Sequence, residues 1–300
     1  MLSKKNIPRL ILTAGTLIVS VGILMILVYR QREALLDYEW QIRLFPIAAS
    51  FLLFGLALLL VVGIWAWMMR YVGVKIGILR HFQHIAISNL SKRIPGTVWY
   101  IASRAQFYKD DGVPRRKTAL ISGVEMTVSV IAGILVSLGF GLSIILRYKI
   151  SPWVFVLALL LSSAVLHPKV LDWGLKRLGV DTHLFRYPAL ISWVIGYTIV
   201  WIVGGTILFA ISNIFWPLGF GSLGYIIGSW ALVGALTNIL FFAPSNLGIT
   251  EVGLSLLLSN IMPASVAVII SIAARILLFL YEIFWALAAL TPNLWKNKPK

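Results

Sequence analysis

Four charged side chains stand inside apolar runs: Glu125, Glu251, Arg275 and Glu282. In hydrocarbon a lone charge costs roughly 2.5–3.5 kcal/mol on insertion scales, so such groups pair, take up protons or face a polar cavity. Arg275 and Glu282 are two helical turns apart on one face. That spacing permits a structural lock, with Arg275 paired to Glu251 or Glu282. It equally permits a charged gate whose opening alternates access to a cavity. Glu251 has the stronger claim to chemistry because it follows a break. The apolar run 236–258 stops at Pro244, passes Ser245, Asn246 and Gly248, and restarts at Thr250-Glu251. A broken helix at membrane depth is tolerated only where protein or a wet cavity surrounds it. A carboxylate placed there suits gating or proton coupling. Glu125 falls about two turns into its own apolar run, near the interface.

These groups must be held by a membrane scaffold. Of 300 residues, 60% are hydrophobic and 12% charged, and the mean hydropathy is +0.93. That composition implies an all-α polytopic membrane protein. The 12 Trp and 10 Tyr suffice for aromatic belts at both interfaces. With no cysteine, disulfides and thiolate metal sites are excluded. The net charge of +16 sits beside apolar runs, which fits anionic lipid rather than nucleic acid as the partner.

In chain order, spans are expected at about 7–29, 44–69, 118–146, 150–166, 189–213 and 263–290. The first is a retained span, being too long for a signal-peptide core. Between spans two and three lies a basic stretch, 70–117, with ten Lys or Arg; its middle breaks at Ile94-Pro95-Gly96. The second broken element covers 225–260.

An internal repeat relates the two breaks. Asn89 precedes Pro95 by six residues, as Asn238 precedes Pro244, an offset of 149 that also carries spans one to three onto spans four to six. The expectation is a single transmembrane domain, 1–300, of about six full spans plus two re-entrant hairpins. Its inverted halves are about 1–149 and 150–300. In that topology twenty Lys or Arg lie inside against five outside, so both termini are cytoplasmic. The rival topology, with 225–242 crossing fully, puts the C-terminal lysines outside.

Hairpin tips at Pro95-Gly96 and at Pro244 to Gly248 would meet near the midplane. Thr97 and Thr250 would start the returning legs as N-caps. Two helix N-termini there suit an anionic group such as a lipid phosphate; the alternative is that the breaks only pack and cap themselves. Arg104 is placed to reach a headgroup or to snorkel. His81 and His84 read as an amphipathic interfacial face rather than a metal site. Asp110-Asp111 reads as a turn, with a metal–sugar-phosphate site as the alternative. The GxGxxG match at 219–224 lacks a strand–helix context; Gly224 and Gly228 suit close helix packing instead. No metal or cofactor is expected.

At Asn89, Arg93-Ile94-Pro95-Gly96-Thr97-Val98-Trp99, Arg104, Glu125, Ala243 to Gly253, Arg275 and Glu282 the chain resembles the flippase-like transmembrane family of lysylphosphatidylglycerol synthases. Ser245, Asn246 and Thr250 stand where the family usually has more glycine and an Arg. The resemblance implies a multi-pass protein of a prokaryotic plasma membrane that translocates or binds lipid. Its cargo would be a phospholipid or a polyprenyl-phosphate carrier, with a glycosyltransferase as a possible associate. On it, Asn89, Pro95, Gly96, Thr97, Arg104, Pro244, Ser245, Asn246, Gly248 and Thr250 would hold substrate. Glu125, Glu251, Arg275 and Glu282 would gate or couple protons. Two other readings stay open: a scaffold recruiting a glycosyltransferase or lipid synthase through 70–117, and a membrane enzyme using Asp110-Asp111 or Glu125 on a polyprenyl-linked substrate.

Overall fold

The computed structural model describes Tyr29 and residues 32–36, 42–91, 98–177, 185–239 and 248–290, which form helices and short connections without a strand. After a short α1 (Arg32–Leu36) come α2 (Leu44–Tyr71), α3 (Ile78–Leu90), α4 (Val98–Asp110), α5 (Arg115–Phe140), α6 (Leu142–Arg147), α7 (Pro152–Val165), α8 (Pro168–Arg177) and α9 (Tyr187–Phe215). A 3-10 turn at Phe220–Ser222 leads into α10 (Leu223–Ile239), followed by α11 (Ile249–Leu258) and α12 (Ala264–Ala289). Prolines stand at helix starts, where their missing N–H costs nothing: Pro114 and Pro263 cap α5 and α12, and α7 and α9 carry Pro in the first turn.

Among the described residues five helices are long and apolar enough to cross a membrane: α2, α5, α9, the 3-10 turn with α10, and α12. The expected span at 7–29 lies outside the described residues except for Tyr29. The expected span at 150–166 is the 14-residue α7, which rises about 21 Å, less than the ~30 Å of a hydrocarbon core. The expected span at 118–146 stops at Phe140, because α10 crosses there at very close range. A Cβ on Gly228 would lie 2.6 Å from Gly141 Cα, so this contact needs glycine at 228, while a Cβ on Gly141 would press on the Ser137 carbonyl oxygen at 2.6 Å. The remaining boundaries agree with the sequence within a few residues.

α9 is the central helix and packs on α2, α5, α10 and α12. It runs parallel to α5, in register: Tyr197 OH donates to Glu125 Oε1, and four residues on in each helix Trp201 Nε1 donates to Ser129 O. One end of the bundle gathers the basic residues. There Lys117 Nζ donates to Val72 O and the Arg186 amide donates to Tyr71 OH, joining the end of α2 to the starts of α5 and α9. This end is the basic face. At the opposite end the Arg43 amide donates to Ile214 O.

α3 and α4 run antiparallel, with contacts between Ser88 and Arg104, His81 and Tyr108, and His84 and Asp111. Their open ends lie at the basic face, around a cavity of about 250 Å³ lined by Lys75, Ile76, Asp111 and Lys117. α10 and α11 are antiparallel as well, Tyr225 OH near the start of one donating to Leu257 O near the end of the other. Their open ends lie at the opposite end, where Asn260 Nδ2 donates to both Tyr148 OH and Tyr225 OH. α3 packs on α12, and α10 on α5. Adding the sequence offset of 149 to Arg115–Phe140 gives Ala264–Ala289, the bounds of α12. The same offset carries the end of α3, Leu90, onto the end of α10, Ile239.

Candidate functional site

Glu251 sits where α11 begins. Gly248 enters that helix at φ +91°, a conformation only glycine adopts without strain. Its amide donates to Glu251 Oε2 at 2.7 Å. A carboxylate three residues into a helix thus satisfies an otherwise unpaired N–H and faces the positive end of the helix. The other oxygen, Oε1, accepts from Arg275 Nη1 on α12. Of the two partners sequence spacing allows Arg275, the structure selects Glu251. The pair is lopsided: the Glu251 side chain is 4% exposed and that of Arg275 29%. The capping residue is therefore Gly248 rather than Thr250, which is half-buried inside the first turn. Glu282 is half-buried on α12.

A second pair joins α4 to α5. Arg104 Nη1 on α4 donates to Glu125 Oε2 on α5 at 2.5 Å. The Arg104 guanidinium is consumed: Nε donates to Ser88 Oγ, one face lies 4.3 Å over the Trp65 ring, and Tyr100 closes a second side. Its side chain is 1% exposed, so it holds α4 in place instead of reaching into headgroups. Glu125, near the interface by sequence, is buried and also accepts from Tyr197. Charge is thereby neutralised in the interior, as low-dielectric surroundings require.

From this pair a polar line continues to the basic face. Trp65 Nε1 donates to Tyr108 OH at 2.6 Å, and Tyr108 OH bonds His81 Nδ1. His84 Nε2 lies 2.5 Å from Asp111 Oδ2. Burial pushes the His81 imidazole down to about 4, with His84 and Arg70 adding to the effect. Burial lowers His84 as well, against the opposing pull of Asp111. A neutral His84 therefore donates Nε2–H to the Asp111 carboxylate. Asp110 accepts from Gln106 Nε2 at 3.0 Å, and no group of three metal-capable side chains occurs among the described residues.

Asn89 ends α3 with its Oδ1 buried and unpartnered among the described residues. Pro95, Gly96, Thr97, Pro244, Ser245 and Asn246 lie outside the described residues. Sequence reasoning missed Tyr197, Trp65 and Tyr108 as partners of the charges; the four-residue spacing of Tyr100, Arg104 and Tyr108 on one face of α4 was the available signal. No known family model matches the chain, and no curated protein matches it either.

Proposed function

We propose that this chain is a flippase-like membrane protein of the lysylphosphatidylglycerol synthase transmembrane kind, which binds and moves an anionic or lipid-linked phosphate at a site between two re-entrant hairpins. One observation carries the reading. The returning leg of each helical pair is tied to the next long helix by a guanidinium–carboxylate pair, Arg104–Glu125 and Glu251–Arg275, and the sign is reversed between them. The offset of 149 brings Glu125 beside Arg275. The opposed open ends of the α3–α4 and α10–α11 pairs fit hairpins entering from opposite leaflets, as an inverted repeat demands.

In this reading the site lies between the hairpin tips, with Asn89, Gly248 and Thr250 at its edge. Arg275, being part-exposed, meets the phosphate. Glu251 gates the site: an arriving anion competes for Arg275, and the released carboxylate takes a proton or stays on the Gly248 amide. Arg104 and Glu125 form the fixed counterpart. Native mass spectrometry of the purified protein tests the binding step. Wild type is expected to retain anionic lipid and Arg275→Ala to lose most of it. Equal retention by both would remove Arg275 from the site.

A further inference from the structure

Two helices that reach the basic face, α2 and α4, end in the same way. At the end of α2 the Gly73 amide donates to Arg70 O and the Val74 amide to Met69 O; at the end of α4 the Gly112 amide donates to Lys109 O and the Val113 amide to Tyr108 O. Both glycines stand at φ +81°, and both valines are buried. A helix closed by such a glycine has its last carbonyls satisfied and its next apolar residue pinned in the core. Two rigid turns result, and neither fills the space beside it: a Cβ built on Gly73 or Gly112 would meet no atom within 4 Å.

Between these turns lies the cavity of about 250 Å³. That is below the ~300–1,000 Å³ that drug-sized ligands fill, and it suits a small polar group. Three charged side chains line it: Lys75, Lys117 and Asp111. Lys117 is fixed there, its Nζ donating to Val72 O at 3.0 Å, and an ammonium has two further N–H donors to offer. Asp111 accepts at Oδ2 from a neutral His84, which brings no charge of its own. Pro114, the cap of α5, also lines the cavity, so the helix start adds about half a positive charge. Exposed Arg115 and Arg116 follow. The cavity therefore attracts an anion, and the carboxylate in its wall requires that anion to carry a hydrogen-bond donor.

We propose that this cavity binds a phosphate ester, with Lys75 and Lys117 on the phosphate and Asp111 accepting from a hydroxyl of the esterified group. Lysine serves here as a compact point charge for phosphate. A phosphoglycerol lipid headgroup and a soluble phosphate ester share this chemistry. The neighbouring residues favour the headgroup: Ile78 and Leu79, three and four positions beyond Lys75, are exposed apolar side chains, as expected beside acyl chains at a membrane interface. The site uses neither Arg275 nor Glu251 and does not rest on lipid movement.

Pyridoxal phosphate, an aldehyde that carries a phosphate ester, tests this directly, because borohydride fixes it on a lysine beside the bound phosphate. Full-length protein in detergent would be labelled, digested and read by mass spectrometry, with Lys169 and Lys176, exposed on α8, as internal references. Lys75 is expected to take about tenfold more label than either reference. It should lose that preference with pyridoxal, which lacks the phosphate, and be protected by glycerol phosphate. The same preference with both reagents, or no protection by glycerol phosphate, would overturn the proposal. Labelling in nanodiscs then identifies the source. Protection of Lys75, but not of Lys169 or Lys176, by phosphatidylglycerol added to a phosphatidylcholine bilayer supports a lipid headgroup; protection by glycerol phosphate alone supports a soluble ester. Arg275→Ala protein should label at Lys75 as wild type does, so failure of the proposed site at the hairpin tips would leave this result standing.

Discussion

Arg104 donates to Glu125 across the α4–α5 interface at 2.5 Å, and neither side chain is more than a tenth exposed. Breaking such a pair from one side strands a buried charge, which costs about 3–5 kcal/mol, whereas replacing both partners by apolar groups is often close to neutral. Arg104→Met and Glu125→Leu are each expected to destabilise strongly. The double variant should be more stable than the sum of the two predicts. Thermal unfolding in detergent across the four proteins measures this coupling. Additive losses would mean the pair contributes nothing as a pair.

Gly248 is held at φ +91° so that its amide can reach Glu251. Gly248→Ala should cost about 1 kcal/mol or more through backbone strain and loosen the start of α11. Hydrogen exchange of the α11 amides is expected to quicken while α5 is unaffected. Unchanged exchange would show that α11 is set by its packing alone.

The contact of Gly228 with Gly141 is backbone on backbone, with no flexible side chain to yield. Gly228→Ala is therefore expected to lose about 1–3 kcal/mol through overpacking. Gly224→Ala should be near neutral, since its Cβ would meet only Phe140, at 3.6 Å. Melting temperatures of the two variants compare the sites directly.

His81 is held neutral by burial, its folded pKa near 4 lying below the ordinary 6.5. Below pH 6.5 the unfolded chain binds the proton that the folded chain refuses, so stability falls as pH drops and levels off only near pH 4. The full effect is about 3 kcal/mol. A His81→Phe variant should show a shallower decline over that window in pH-dependent thermal unfolding. An identical decline would place its source in other groups.

Which parts of this were legible in the sequence follows from lipid physics. The bounds of α2, α9 and α12 emerge from uninterrupted apolar runs, whereas Pro95 and Pro244, where the sequence predicts breaks, lie outside the described residues. The direction of α3 was not legible. A surface-helix reading places His81, Gln83, His84 and Ser88 outward, but the polar side of α3 turns in: these four are buried while Ile78 and Leu79 are exposed. The same inversion hid the pairing of His84 with Asp111, which are 27 residues apart and meet only because α4 runs back along α3 and Gly112 (φ +81°) turns the chain. For Arg104 the sequence offers a headgroup or snorkelling but not burial, because its partner Glu125 belongs to the next helix. By contrast, Glu251 is one of the two partners that the sequence offers Arg275, Glu282 on the same helix being the other, and the structure pairs Arg275 with Glu251.

Lipid movement in proteoliposomes tests the central proposal most directly. Fluorescent lipids with anionic and zwitterionic headgroups would be quenched by dithionite from one side, for wild type, Glu251→Gln and Arg275→Ala. The proposal predicts that wild type exposes inner-leaflet anionic lipid to quenching, that both variants lose this, and that both remain folded by thermal unfolding. Movement of anionic lipid by Glu251→Gln and Arg275→Ala at the wild-type rate would contradict it.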